Sequence, residues 1–195
     1  MNLPNKLTII RFILTPIFMA LMMINFPYHY FVAFLVFIAA SITDYFDGKI
    51  AREQNLITDF GKFLDPIADK ALTTAAFIAF CFLRIGVGIE WVLFIILLRE
   101  FVVTSVRLAA SSNGKVVAAN MWGKAKTVLQ MVTICVLIFF MGVFDALEGF
   151  YEIPQIFNNV FDIVATALLW ITAVLTLIAG VTYIVDNKAF INPNK

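Results

Sequence analysis

The sequence predicts an all-α fold: a polytopic membrane protein in which six transmembrane helices form one domain over residues 1–195. Composition is the first reason. Hydrophobic residues make up 62% of the chain and charged residues 14%, where a soluble domain carries about 45–50% and about 25%. So few charges cannot cover a water-facing surface, and lipid must be part of the solvent. Second, apolar runs recur at Thr8–Ile24, Tyr28–Ser41, Ala71–Leu83, Trp91–Val106, Val128–Val143 and Val160–Val185. With polar extensions they approach the roughly 20 residues that one crossing requires. Third, with six spans and a cytoplasmic N-terminus, every lysine and arginine except Arg84 falls on the cytoplasmic side, as basic residues do in membrane proteins.

Helices are favoured over barrel strands because a lone crossing segment must satisfy its own backbone hydrogen bonds, and these runs do not alternate. The first run has no small-residue cleavage site after it and more spans follow, so it reads as a retained helix, not a signal peptide. Helix 2 is expected to continue through polar residues to about Arg52, and helix 3 to start near Gly61 or Leu64. Breaks are expected at Asn25–Pro27, Asn55–Asp59, Gly86–Gly88, Ser111–Lys115 and Gly149–Pro154. Cys81 and Cys135 sit inside apolar runs and read as free buried thiols. The only histidine, His29, lies between two tyrosines and reads as an interfacial residue without a catalytic role. The net charge of +1 carries no basic tail, so nothing points to nucleic acid as a partner.

The chemistry is concentrated in residues 44–69. Asp44, Asp47, Gly48 and Ala51 fall within roughly 100° of one another on helix 2, and Gly61, Asp65 and Asp69 share a face of helix 3. Asp65 and Asp69, near the start of helix 3, suit its dipole. Asp44 and Asp47, near the end of helix 2, oppose theirs, so a structural role does not account for them. Two consecutive helices joined by a short loop pack antiparallel, which lets the two acidic faces converge. Four carboxylates near hydrocarbon are costly without compensation, and two divalent cations would neutralise them. Hard oxygen ligands without His or Cys suit Mg²⁺, Mn²⁺ or Ca²⁺ better than zinc. Paired cations about 4 Å apart are a recurrent device for phosphate-ester displacement. Gly48 and Gly61 leave room for a nucleotide, and Ala51 keeps that floor low.

At these residues the chain resembles the CDP-alcohol phosphatidyltransferase family, whose pattern D-x2-D-G-x2-A-R-x8-G-x3-D-x3-D is kept at Asp44, Asp47, Gly48, Ala51, Arg52, Gly61, Asp65 and Asp69. The resemblance implies transfer of a phosphatidyl group from a CDP-linked lipid to an alcohol, with release of CMP. It implies Asp44, Asp47, Asp65 and Asp69 as ligands of two Mg²⁺ (or Mn²⁺) ions, and Asp69 also as general base. It implies Gly48, Ala51 and Gly61 as the cytidine and ribose surface. Arg52 either snorkels to the lipid headgroups or contacts the diphosphate or braces the acids, the latter favoured because it lies within two turns of Asp47. Asn5, Thr8 and Arg11 either hydrogen-bond the nucleotide or anchor helix 1.

The stretches Leu98–Phe101, Arg107–Leu108 and Trp122–Thr127, with the N-terminal residues 2–8, Arg11 and Pro16, resemble the bacterial branch of the family that makes phosphatidylglycerophosphate. That implies glycerol 3-phosphate as acceptor and CDP-diacylglycerol as donor, in the bacterial cell membrane with the active site facing the cytoplasm. Arg99 and Arg107 lie about 80° apart on helix 4, and Lys124 and Lys126 open helix 5 on the same membrane side. These four are candidates for the acceptor phosphate, against a girdle contacting anionic membrane lipids. Glu100 is expected to pair with a basic residue. Family members are commonly homodimers, so a homodimer is expected. The same chemistry on phosphatidylglycerol, serine or inositol phosphate is the alternative within the family. A divalent-cation transporter is the alternative of another class, disfavoured because all four acids cluster at one membrane edge. A prenyl-diphosphate enzyme lacks the glycine spacing.

Overall fold

The computed structural model describes residues 2–53, 59–112, 121–148 and 154–188, with side chains described outside 45–49, 51–53, 59–60, 62–63, 65–66, 69 and 111–112. It contains six helices: α1 (Leu3–Met23), α2 (His29–Glu53), α3 (Asp59–Phe82), α4 (Ile89–Ser112), α5 (Met121–Glu148) and α6 (Gln155–Asp186). The expected order is present, the breaks at Asn25–Pro27 and Gly86–Gly88 are seen, those expected at Asn55–Asp59, Ser111–Lys115 and Gly149–Pro154 lie largely outside the described residues, and α2 runs through the polar stretch as its pattern predicted. Two starts are earlier than expected. α1 begins at Leu3 because Pro4 suits a first turn, where its missing N–H is no loss. α3 begins at Asp59, and an acidic residue there complements the helix dipole.

Among the described residues, three helices are long and apolar enough to cross a membrane: α1, α5 and α6. In α2 and α3 the apolar part covers His29–Asp44 and Lys70–Phe82, and each helix continues into a charged stretch. α4 carries Glu90, Arg99, Glu100 and Arg107 within its 24 residues. α6, at 32 residues, reaches about 48 Å at 1.5 Å per residue, well beyond the roughly 30 Å hydrocarbon layer.

The chain divides into two compact units, residues 1–83 with 134–158, and residues 84–133 with 159–195. In the first unit α1 packs against both α2 and α3. The buried stripe of α1 is Asn5, Thr8, Arg11, Thr15, Phe18 and Met22, spaced by three or four residues so that all face one way. Its first half is polar and its second apolar. Phe18 meets Phe37 of α2 with ring centroids 5.4 Å apart, and Ala33, Ala40, Ala76 and Phe80 close this core. α5 joins the unit through Phe139, which packs edge-on against Phe31 and Phe34 of α2. A Cβ at Gly142 would lie 3.1 Å from the Phe31 ring, so the close approach of α2 and α5 there requires glycine. His29 is buried, with Nδ1 3.0 Å from the Phe26 carbonyl oxygen and 3.8 Å from the Asp145 carboxylate. The Asp145 carboxylate also accepts the Tyr28 N–H at 3.2 Å. His29 thus packs within the start of α2.

In the second unit the α6 stripe is built of small residues: Ala165, Thr172, Ala173, Thr176, Ala179 and Gly180. Small side chains permit the close helix contacts that dispersion and polar pairing need inside a membrane. Thr133 of α5 and Thr172 of α6 are hydroxyl to hydroxyl at 3.0 Å. Val103 and Val106 of α4 cluster with Tyr183 of α6. The turn into α4 is held to α6 twice: the Val87 N–H donates to Thr166 Oγ1 at 2.9 Å, and Trp170 Nε1 donates to the Val87 carbonyl at 2.9 Å.

Candidate active site

In the first unit, α2 places Asp44, Asp47, Gly48, Ala51 and Arg52 on continuous helix, and α3 does the same for Gly61, Asp65 and Asp69. Backbone helicity keeps the one-face spacing read from the sequence. The side chains of Asp47, Arg52, Asp65 and Asp69, and the surroundings of Gly48 and Ala51, lie outside the described residues. Gly61 is described and buried.

Asp44 is described and half exposed, and its Oδ1 lies 2.5 Å from Nη1 of Arg11, whose side chain is 1% exposed. A guanidinium removed from water so completely needs a counter-charge, and Asp44 supplies it across the α1–α2 contact. Arg11 thus pairs with the first carboxylate of the motif and ties α1 to α2 there. Thr8 and Asn5 lie one and two turns before it on the same buried stripe, and Thr8 Oγ1 donates to the Pro4 carbonyl at 3.1 Å. α1 thus presents a polar half-face to the unit that contains the acids. Four carboxylates on two helices would suit a hard divalent cation; of their side chains only that of Asp44 is described, and a buried arginine fixes its orientation.

The second unit gathers the basic residues. Glu100 Oε1 accepts from Arg99 Nη1 at 3.1 Å and also pairs with Nζ of Lys126, a contact that ties α4 to α5. The Arg99 side chain is 10% exposed, and its stem lies across α6 at Gly180, where a Cβ would come within 2.9 Å of Arg99 Cγ. Arg107 Nε donates to the Tyr183 hydroxyl at 3.2 Å, and its guanidinium carbon stands 5.6 Å from the Tyr183 ring centroid, so the phenol fixes the arginine by hydrogen bond and by cation–π attraction. Lys124 and Lys126 are two residues apart and point to different faces of α5: Lys126 is buried and Lys124 exposed.

The structure thus brings Arg99, Glu100 and Lys126 together, and seats Arg107 on α6. Sequence reading anticipated the pairing of Glu100. It missed Tyr183 and Gly180. The signal for Tyr183 was a lone hydroxyl-bearing ring near the charged end of an apolar helix. For Gly180 it was membership in the small-residue stripe of α6. Both are visible only after the α6 register is known.

The family model described as CDP-alcohol phosphatidyltransferase matches residues 1–182. The chain belongs to the CDP-alcohol phosphatidyltransferase family. Several bacterial members are similar to it along nearly their whole length. The CDP-diacylglycerol–glycerol-3-phosphate 3-phosphatidyltransferase of Bacillus subtilis is 37% identical, with 95% of each chain covered. The protein of that name from Rickettsia typhi is 38% identical over 97% of this chain and 98% of its own. The one from Haemophilus influenzae is 32% identical over 94% and 91%. Membership in the family accounts for the eight-position motif on α2 and α3, and the three relatives share one named activity.

Proposed function

We propose that this protein is a membrane enzyme that transfers the phosphatidyl group of CDP-diacylglycerol to glycerol 3-phosphate, giving phosphatidylglycerophosphate and CMP. The observation that carries the proposal is the intact eight-position motif on two consecutive helices of a chain whose near-full-length relatives bear that activity in their names. The C1 hydroxyl oxygen of glycerol 3-phosphate attacks the diacylglycerol-bearing phosphorus. The bond from that phosphorus to the CMP oxygen breaks, and CMP leaves with the electron pair. Asp69 takes the hydroxyl proton as attack proceeds.

Asp44, Asp47, Asp65 and Asp69 would hold two Mg²⁺ or Mn²⁺ ions, which supply neutralisation of the diphosphate and of the departing CMP. Arg11 keeps Asp44 oriented for that role. Gly48, Ala51, Gly61 and Arg52 would contact the nucleotide, with Asn5 and Thr8 lining the polar half-face of α1. Arg99, Arg107, Lys124 and Lys126 would attract the acceptor phosphate, Arg99 and Arg107 offering planar guanidinium forks. All six helices would cross the bacterial cell membrane within one catalytic domain. The N-terminus and active site would face the cytoplasm, where both water-soluble participants, glycerol 3-phosphate and CMP, are found. Pairing of two copies into a homodimer accords with the family habit.

The test is CMP release from CDP-diacylglycerol by purified protein in detergent, with and without Mg²⁺, offering glycerol 3-phosphate, serine, inositol phosphate and phosphatidylglycerol separately. Metal-dependent release with glycerol 3-phosphate alone is expected. Release with a different acceptor would keep the acidic-site chemistry and overturn the role given to the basic residues. No release from folded protein would return the carboxylates to the status of an ion site.

A further inference from the structure

Glu100 is the residue of the second unit for which the proposed reaction has no use. Its carboxylate receives Arg99 Nη1 and Lys126 Nζ on the same oxygen, Oε1. The side chains are 10%, 17% and 7% exposed for Arg99, Glu100 and Lys126. A carboxylate oxygen between a guanidinium and an ammonium makes the contacts a phosphate oxygen would make there. Two further buried donors lie on the same two helices. Arg99 Nε is buried with no hydrogen-bond acceptor. Gln130, one turn beyond Lys126 on α5 and 3% exposed, has an Nε2 that is buried without one as well. Buried donors without acceptors are costly and call for an explanation. An oxygen-rich anion supplies one, because a phosphate monoester brings three terminal oxygens that can accept from such donors.

We infer that Glu100 is a specificity-determining residue: an internal anion that occupies the acceptor-phosphate position when no acceptor is bound and has to be displaced from Lys126 and Arg99 by the incoming phosphate. The inference rests on the acceptor reading above and adds a mechanism of selection to it. A dianionic phosphate monoester competes with a carboxylate for two cations. A neutral polyol such as glycerol does not, so Glu100 excludes alcohols that lack the phosphate. A residue that merely held the two cations in place would predict the opposite sign on its removal.

The experiment measures binding of glycerol 3-phosphate, inorganic phosphate and glycerol by titration calorimetry. The full chain in detergent is used, with CDP-diacylglycerol present and divalent ion withheld so that no turnover occurs. Glu100→Gln, which keeps the shape and removes the competing charge, is expected to bind both phosphates roughly tenfold more tightly than the wild type, the loss of one competing charge-assisted contact being of the order of 1.4 kcal/mol. Glu100→Asp, which keeps the charge and shortens the reach, is expected to tighten binding less, and it decides the matter where Glu100→Gln does not fold. Equal or weaker phosphate binding in the folded variants, with the wild type binding normally, overturns the role of Glu100 and leaves the acceptor reading standing. Absence of phosphate binding in the wild type and both variants overturns the acceptor reading and this inference with it.

Discussion

The carboxylates on α2 and α3 come from residues 44–69, while the basic cluster of the second unit is assembled from arginines and lysines on α4 and α5 that are seated by Gly180 and Tyr183 of α6. The first set is spaced by helical periodicity alone: three- and four-residue steps put each pair on one face whatever the rest of the chain does. The second set exists as a cluster only because three helices meet. Glu100 reaches Lys126 across α4 and α5, Gly180 seats Arg99, and Tyr183 holds Arg107 from 76 residues away. A locally encoded site tolerates change elsewhere but not within its motif. A tertiary site is sensitive to the packing of every helix that contributes to it. The two regions are therefore expected to fail differently, and kinetics separate them: damage to the acids lowers turnover with any acceptor, while damage to the basic cluster raises KM for glycerol 3-phosphate and spares the CDP-lipid.

The largest expected effect belongs to Asp69. Asp69→Asn removes the base without changing side-chain size, and kcat is expected to fall roughly 10²–10⁴-fold while CDP-diacylglycerol still binds. Single-turnover CMP release alongside a lipid-binding measurement checks both halves. Activity near that of the wild type would remove Asp69 from the role of base and leave it at most a ligand.

Arg11 comes next, since it tests whether the acidic motif is as local as it looks. Arg11→Met keeps the buried stem and deletes the charge that meets Asp44. Partners that orient metal ligands are typically worth 10–100-fold in activity or metal affinity, and a loss of that size in kcat with glycerol 3-phosphate KM unchanged is the expected result. An unchanged kcat in the Mg²⁺ titration would show that the α1 contact is structural and that the motif is self-sufficient.

Much of the architecture was legible in the sequence because hydrophobic periodicity and turn residues act over short range. The six helices, the continuation of α2 to Glu53 and the described connections at Asn25–Pro27 and Gly86–Gly88 follow from local pattern. The acidic face was legible for the same reason. The bracing of Asp44 was not, because Arg11 precedes it by 33 residues and nothing local distinguishes a buried arginine from one that snorkels to headgroups. The division of Lys124 from Lys126 could have been read from their two-residue spacing, which places them on different faces of any helix. The direct partners of Arg99 and Arg107 on α6 needed the register of that helix. Its long apolar run does not fix this register, because a stripe of small residues permits several rotations and only contacts such as Thr133–Thr172 select one.

Arg107→Ala is expected to raise KM for glycerol 3-phosphate by about tenfold or more, in line with the 1.5–3 kcal/mol of a hydrogen bond to a charged group, with the CDP-lipid KM unchanged. An equal rise for both substrates would assign Arg107 to structure instead of to the acceptor.

The smallest effect sharpens the comparison most, because it concerns a residue with no place in the motif. Tyr183→Phe keeps the ring beneath the Arg107 guanidinium, and with it the cation–π attraction, and deletes only the hydroxyl that accepts from Arg107 Nε. A single such bond contributes about 0.5–1.5 kcal/mol, so glycerol 3-phosphate KM is expected to rise only a few-fold with kcat and the CDP-lipid KM unmoved. The decisive measurement is the double-mutant cycle. If Tyr183 acts by positioning Arg107, then Tyr183→Phe has no further effect once Arg107 is alanine. Additive effects would mean that the hydroxyl serves the acceptor directly, and that the second unit offers glycerol 3-phosphate a neutral donor as well as its charges.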